Sequence, residues 1–161
     1  MGFDVSGAPG PEQWDAYLRA AVEIRIGGRT IRVLPDEVGQ VRGDFLERSG
    51  RTIHVITAAN PYGRPASDED NERTHRELLR ELRLLNVDRT FPAVGGDPAG
   101  SHAEQSVAVV GLSDAAAVEL GRRFEQDAVF AWTPQSLTLL SCVSDIEAVR
   151  GWCQHEVPDE H

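Results

Sequence analysis

RTIHVITAANPYG, residues 51–63, joins the strongest strand signal in the chain to its sharpest turn. Ile53, Val55 and Ile56 predict a strand over Thr52–Ala59, and Asn60-Pro61-Tyr62-Gly63 ends it. Just downstream, Ser67 with Asp70 three residues later forms a capping box. Asp68, Glu69 and Asp70 then put negative charge at the positive end of a helix dipole. Leu78, Leu82 and Leu85 recur at helical spacing, so a helix is predicted over Asp68–Asn86.

Working outward, Phe91–Gly100 contains Pro92, Gly95, Gly96, Pro98 and Gly100 and reads as a loop. Ser106–Val110 reads as a second buried strand ending at Gly111. Ser113 and Asp114 open another helix through Ala117, Leu120 and Phe124, with Gly121 permitting close approach to a sheet. Strands over Ala128–Trp132 and Leu137–Leu140 follow, joined by a turn at Thr133-Pro134-Gln135. Toward the N-terminus, Glu12–Ala20 predicts a short helix, and Val22–Ile26 and Thr30–Val33 a hairpin whose turn is Gly27-Gly28-Arg29. Leu34–Gly50 carries mixed signals.

The expected fold is α/β (α+β): a single mixed sheet with helices packed against it, in the order α-ββ-β-α-β-α-β-β. One domain is expected over residues 12–145, between a flexible N-terminus, 1–11, and a polar C-terminal tail, 146–161.

The 161 residues suit a single core. All 16 basic residues counted as Lys+Arg are arginines. Without lysine the chain cannot form a pyridoxal phosphate Schiff base, nor act as a P-loop ATPase or a protein kinase. A formal net charge of −10 disfavours nucleic acid and anionic membrane as partners. The first residues show no basic-then-apolar leader pattern, so a cytoplasmic location is expected. Cys142 and Cys153 lack Cys-x-x-Cys spacing and read as packing residues.

Candidate chemistry gathers around the opening stretch. Asn60 follows the strongest strand, and Asn71 lies on the inward face of the next helix, seven residues before Leu78. Loops at strand ends and helix N-termini are where polar ligands bind, and Thr57 and Ser67 add hydroxyls. The competing reading is that Asn60-Pro61 shapes a turn and Asn71 ties it to the helix. Glu104 shares a face with Ser106, Ala108 and Val110, and acts there as a general base or as an ion-pair partner. Gln126 either satisfies a helix-terminal carbonyl or reaches a ligand. His102-x-Glu104 is only a fragment of a metal motif, so neither a metal nor a cofactor is expected. The nearest arginine to this set is Arg64, which favours a neutral or singly charged ligand over a triphosphate.

Thr57, Ala58, Asn60, Pro61, Gly63, Ser67, Asn71, Asp97, Glu104, Ser106, Gln126 and Ala128 together form a pattern. It is a strand ending T-A-x-N-P-x-G, a downstream Ser and Asn, a Gly/Asp loop, an E-x-S strand, and a helix ending x-Q-x-A. In this the chain, over about Arg51–Leu140, resembles domain of unknown function 3293, a family of small bacterial proteins. It departs from the family at Ala59 and near His102, where aromatic residues are usual, and at Glu125, where glycine is. The resemblance implies no activity or cofactor; it groups these polar residues as one recurring set. Two functions are therefore expected. The first is a domain binding a small polar molecule through Thr57, Asn60, Arg64, Ser67, Asn71 and Gln126, with Glu104 catalysing a metal-independent hydrolysis or group transfer. The second is a non-catalytic interaction or regulatory module that meets a protein partner.

Overall fold

Residues 11–99 and 102–158 are described in a computed structural model. The expected looseness of residues 1–11 falls, but for Pro11, outside them. Helix α1 spans Pro11–Arg19, and the hairpin strands β1 and β2 span Ala21–Ile26 and Arg29–Asp36. A short strand β3, Val41–Arg42, precedes β4, Ile53–Thr57. Helix α2 runs Asp68–Leu84, β5 Arg89–Gly96, β6 Ala103–Val110 and α3 Asp114–Arg123. Strands β7, β8 and β9 span Ala128–Trp132, Leu137–Ser141 and Glu147–Val157.

The single mixed sheet with helices packed against it is overturned. The strands follow the order β2-β1-β5-β6-β4-β7-β8-β9, and β9 returns to pair with β2. The result is a closed eight-stranded barrel in which every neighbour is antiparallel, with β3 alongside β9 as an outer parallel addition. Closure depends on two strands that the sequence disguises. One is β5, in the segment expected to be a loop; the other is β9, in the segment expected to be a polar tail.

The loop signals in β5 have strand explanations. Pro92 pairs with Val107 of β6 but lies one residue beyond the ladder with β1, which begins at Ala93 opposite Ile24. A proline is tolerated where a strand runs out of neighbours on one side. A Cβ at Gly96 would overlap the His102 carbonyl oxygen, so this glycine serves close approach within the β5–β6 hairpin. In β9 only Gly151 and Trp152 are buried, and the polar remainder masks the strand period. Its ladder with β2 runs from Thr30 opposite Val157 to Asp36 opposite Gly151.

The run β4-α2-β5-β6-α3-β7 has the strand order β5-β6-β4-β7, a split βαβ arrangement in which each helical crossover spans one inserted antiparallel strand. Both helices cover the outer face of this part of the barrel. Leu78 and Leu82 of α2 and Ala117 and Leu120 of α3 pack there with Ile56, Val107, Val109, Val129 and Leu140. A Cβ at Gly121 would lie 2.7 Å from both Cys142 Sγ and a Val129 methyl, so glycine sets how closely α3 approaches the barrel. Helix α2 starts as its sequence predicts, with Ser67 Oγ accepting from Asp70 N at 3.1 Å.

Inside, side-chain size changes along the barrel axis. Trp132 and Trp152 meet edge to face at 5.2 Å, and Phe45 from the β3–β4 connection lies 4.8 Å from Trp132. These rings, with Ile24, Ile31, Val33, Ile53 and Val110, fill one end. Toward the other end the inner face carries Gly95, Ser106 and Ala128. A barrel of eight strands is just wide enough either to be filled by side chains or to hold one small ligand, and here it does each at one end.

Because β9 closes the barrel, a chain ending at Asp145 is expected to lose the cooperative urea transition of the full chain, as followed by circular dichroism. Trp152→Ala in the full chain should cost about 3–5 kcal/mol in the same measurement.

Candidate functional site at the barrel mouth

A cavity of about 440 Å³ opens at the small-residue end. Its walls come from the strand ends: Val55 and Thr57 of β4, Gly95 and Gly96 of β5, Glu104 and Ser106 of β6, Ala128 and Phe130 of β7, and Leu139 of β8. Helix α1 lies at its rim, contributing Gln13, Ala16 and Tyr17, and Asn60, His102, Gln126 and Asp127 complete the polar lining.

Asn60 is the junction of this site. Its backbone is left-handed, φ 48° and ψ 68°, a conformation asparagine tolerates better than most residues. Its side-chain oxygen accepts from Ala66 N and from Asn71 Nδ2, both at 3.0 Å, and its amide nitrogen donates to Glu104 Oε2 at 2.8 Å. The Asn60 backbone N–H in turn donates to Asn71 Oδ1 at 2.9 Å. The two amides therefore converge on each other, and through Asn60 on the carboxylate of Glu104. His102 Nε2 stands 3.5 Å from the same Glu104 oxygen.

Of the residues singled out from sequence, the structure brings Thr57, Asn60, Glu104 and Gln126 into the cavity wall. The Thr57 hydroxyl is occupied, donating to the Gln105 carbonyl at 2.8 Å and accepting from Ala59 N at 3.0 Å. Gln126 is buried and donates to the carbonyls of Ala59 and Phe124 at 3.0 and 3.1 Å, holding the α3–β7 corner against the end of β4. Asn71 stands behind Asn60, outside the lining. Ser67 is the cap of α2, and Arg64 is exposed; neither lines the cavity.

Three residues were not singled out from sequence. Asp127 is 2% exposed, and its Oδ2 accepts from the Tyr17 hydroxyl at 2.7 Å and from Gln13 Nε2 at 3.0 Å. Among the described residues its other oxygen, Oδ1, is buried without a partner. Burial pushes the Asp127 carboxyl above its ordinary value, against the opposing effect of the Tyr17 hydrogen bond. Burial, and then the bond to Asp127, raises the Tyr17 phenol as well. The contacts join residues 110 or more positions apart, and no local pattern announces them. The one available signal was an acid beside Gln126 at a helix-to-strand corner.

Among the described residues no three histidine, cysteine or acidic side chains converge as metal ligands, and no helix is long and apolar enough to cross a membrane.

Fold and cavity together define an antiparallel β-barrel with a polar pocket at one mouth. Residues 56–129 match the family model described as Protein of unknown function (DUF3293), so the resemblance holds over just under half of the 161 residues. The matched stretch carries Thr57, Asn60, Asn71, Glu104, Gln126 and Asp127, whereas Gln13 and Tyr17 lie outside it. Neither the curated proteins nor the solved structures contain a match.

Two outcomes are expected. Asn60→Ala should cost about 2–4 kcal/mol in urea melts, combining strain at positive φ with the lost side-chain bonds; Asn60→Gly, free of the strain, should cost less. A carboxyl raised by folding adds stability fully below its ordinary pKa and loses that contribution as pH rises through the raised value. Melts from about pH 3 to pH 7 should therefore show wild type losing stability relative to Asp127→Asn as pH increases.

Proposed function

We propose that the barrel-mouth cavity binds a small polar ligand, with Glu104 as its reacting or orienting carboxylate. The observation that carries this reading is the placement of Glu104. It sits on the inner face of β6, with its side chain 20% exposed, and Asn60 fixes it through Oε2. Such a carboxylate is pre-positioned and still reachable, which is what a general base requires. The chemistry that suits it is metal-independent hydrolysis or group transfer. Beside the polar groups, Val55, Phe130 and Leu139 give a ligand an apolar surface, the usual composition of a small-molecule site. Arg64 is not a ligand contact in this proposal, because it is exposed outside the cavity.

A second reading is favoured by the bonding of the amides. Asn60, Asn71 and Gln126 all hold loops in place, which fits a non-catalytic interaction or regulatory module for a protein partner. A thermal-shift panel of sugars, nucleotides and amino-acid derivatives separates the two. A ligand at a hundred times its Kd stabilises by about 2.7 kcal/mol, and Glu104→Gln should remove that rise without lowering the unliganded melting temperature appreciably. Arg64→Ala should leave the rise intact. A panel without any specific shift would favour the module.

A further inference from the structure

We propose that the occupant of the cavity is an organic cation, an ammonium, amidinium or guanidinium group carried on a small apolar body. This rests on the ligand-binding reading above and specifies the charge and donor pattern of that ligand.

Among the described residues the lining holds two carboxylates, Glu104 and Asp127, and no arginine, in a chain that has no lysine. Among the described residues His102 is the one lining side chain able to carry positive charge, and it is 64% exposed at the rim beside Glu104 Oε2. An anionic ligand would meet two like charges there, against one exposed imidazole at the rim.

The second observation is independent of charge counting. Asp127 is 2% exposed, and Tyr17 and Gln13, which hold its Oδ2, are themselves lining residues, so the carboxylate head lies at the cavity wall. Its Oδ1 has no partner among the described residues. Buried carboxylate oxygens are ordinarily paired with donors, and the described residues supply none here. The contacts of Glu104 with Asn60 and His102 likewise run through Oε2 alone among the described residues, leaving Oε1 for a ligand.

A ligand rich in N–H donors pairs with Glu104 directly, and its positive charge faces the Asp127 carboxylate held in the wall by Tyr17 and Gln13. The wall formed by Val55, Phe130 and Leu139 calls for hydrocarbon behind that head group. A bare metal ion fits less well, since no three metal-ligating side chains converge among the described residues.

The test titrates the full chain with benzamidine and phenethylamine against their neutral counterparts, benzamide and 2-phenylethanol, and against benzoate. Binding is read by calorimetry and by amide chemical shifts. The cations should bind about tenfold or more tightly than their neutral counterparts, weaken as salt is added, and move the amides of Tyr17, Glu104 and Asp127. Benzoate should not bind. Glu104→Gln and Asp127→Asn should each erase the preference for the cation, with folding checked by spectral dispersion. Ala16→Trp, at an exposed α1 position on the cavity rim, should block the cations and spare the fold. If the neutral compounds bind the cavity as tightly as the cations, the charge assignment fails and the ligand-binding reading stands. If no compound moves the cavity amides, both fail. Cation binding that survives Ala16→Trp would place the site elsewhere and overturn the proposal.

Discussion

The antiparallel ladder between β2 and β9 joins the two ends of the strand order, and without it β2 and β9 would be open edges. Closure also fixes which residues have an inside. Trp152 sits in the middle of β9, and inside the ring its indole meets Trp132 and Phe45. Its Nε1 donates to the Thr133 carbonyl at 3.0 Å, tying β9 to the β7–β8 turn. That aromatic cluster seals one end of the barrel, so the cavity opens only toward the end where α1 lies. The ladder is thus the condition for the site, although none of its residues touches the cavity.

The cavity end is organised by hydrogen bonds in place of packing. Asn60 links three things that sequence separates: the end of β4, the first turn of α2 through Asn71, and Glu104 at the start of β6. Tyr62 extends this corner, since its N–H donates to the Glu125 carbonyl at 2.7 Å while its own φ is 53°. Left-handed non-glycine residues cost energy and persist where surrounding bonds over-determine them. Here those bonds converge on the loop that carries the Glu104 partner, a rigid arrangement for a carboxylate at the edge of open space.

How much of this was legible in the sequence follows from how local each signal is. The caps of α2 and α3, the turn of the β1–β2 hairpin and β7 are written in consecutive residues, and the structure places them within a residue or two of expectation. β5 and β9 are not, because each exists only through its neighbours. Pro92, Gly95 and Gly96 look like loop until β6 lies alongside, and β9 buries too little to show a period of two. With those strands hidden, the alternation of strand and helix suggested an open sheet. The site divides the same way. Asn60, Asn71 and Glu104 stand beside recognisable elements, whereas Asp127 gains its surroundings from α1, more than a hundred residues away, and in sequence is one acid among many.

The placement of arginine explains why so acidic a pocket can persist in a chain with sixteen guanidinium groups. Arg29 pairs with Glu156 across the β2–β9 seam, Arg123 with Glu81 between the two long helices, and Arg51 with Glu47 and Asp88 at the opposite end of β4. Arg122 Nε donates to the Cys142 carbonyl at 3.0 Å, fastening α3 to the end of β8. The pairs exposed on both sides, Arg29–Glu156 and Arg51–Asp88, contribute about 0–1 kcal/mol each, so the larger consequence of these arginines is positional. The guanidiniums serve the outside of the barrel and the helix surfaces, and none reaches the small-residue mouth, where Gly95, Ser106 and Ala128 leave room. The field inside that mouth is set by Glu104 and Asp127, and it follows from where closure puts the short side chains more than from the net charge of the chain.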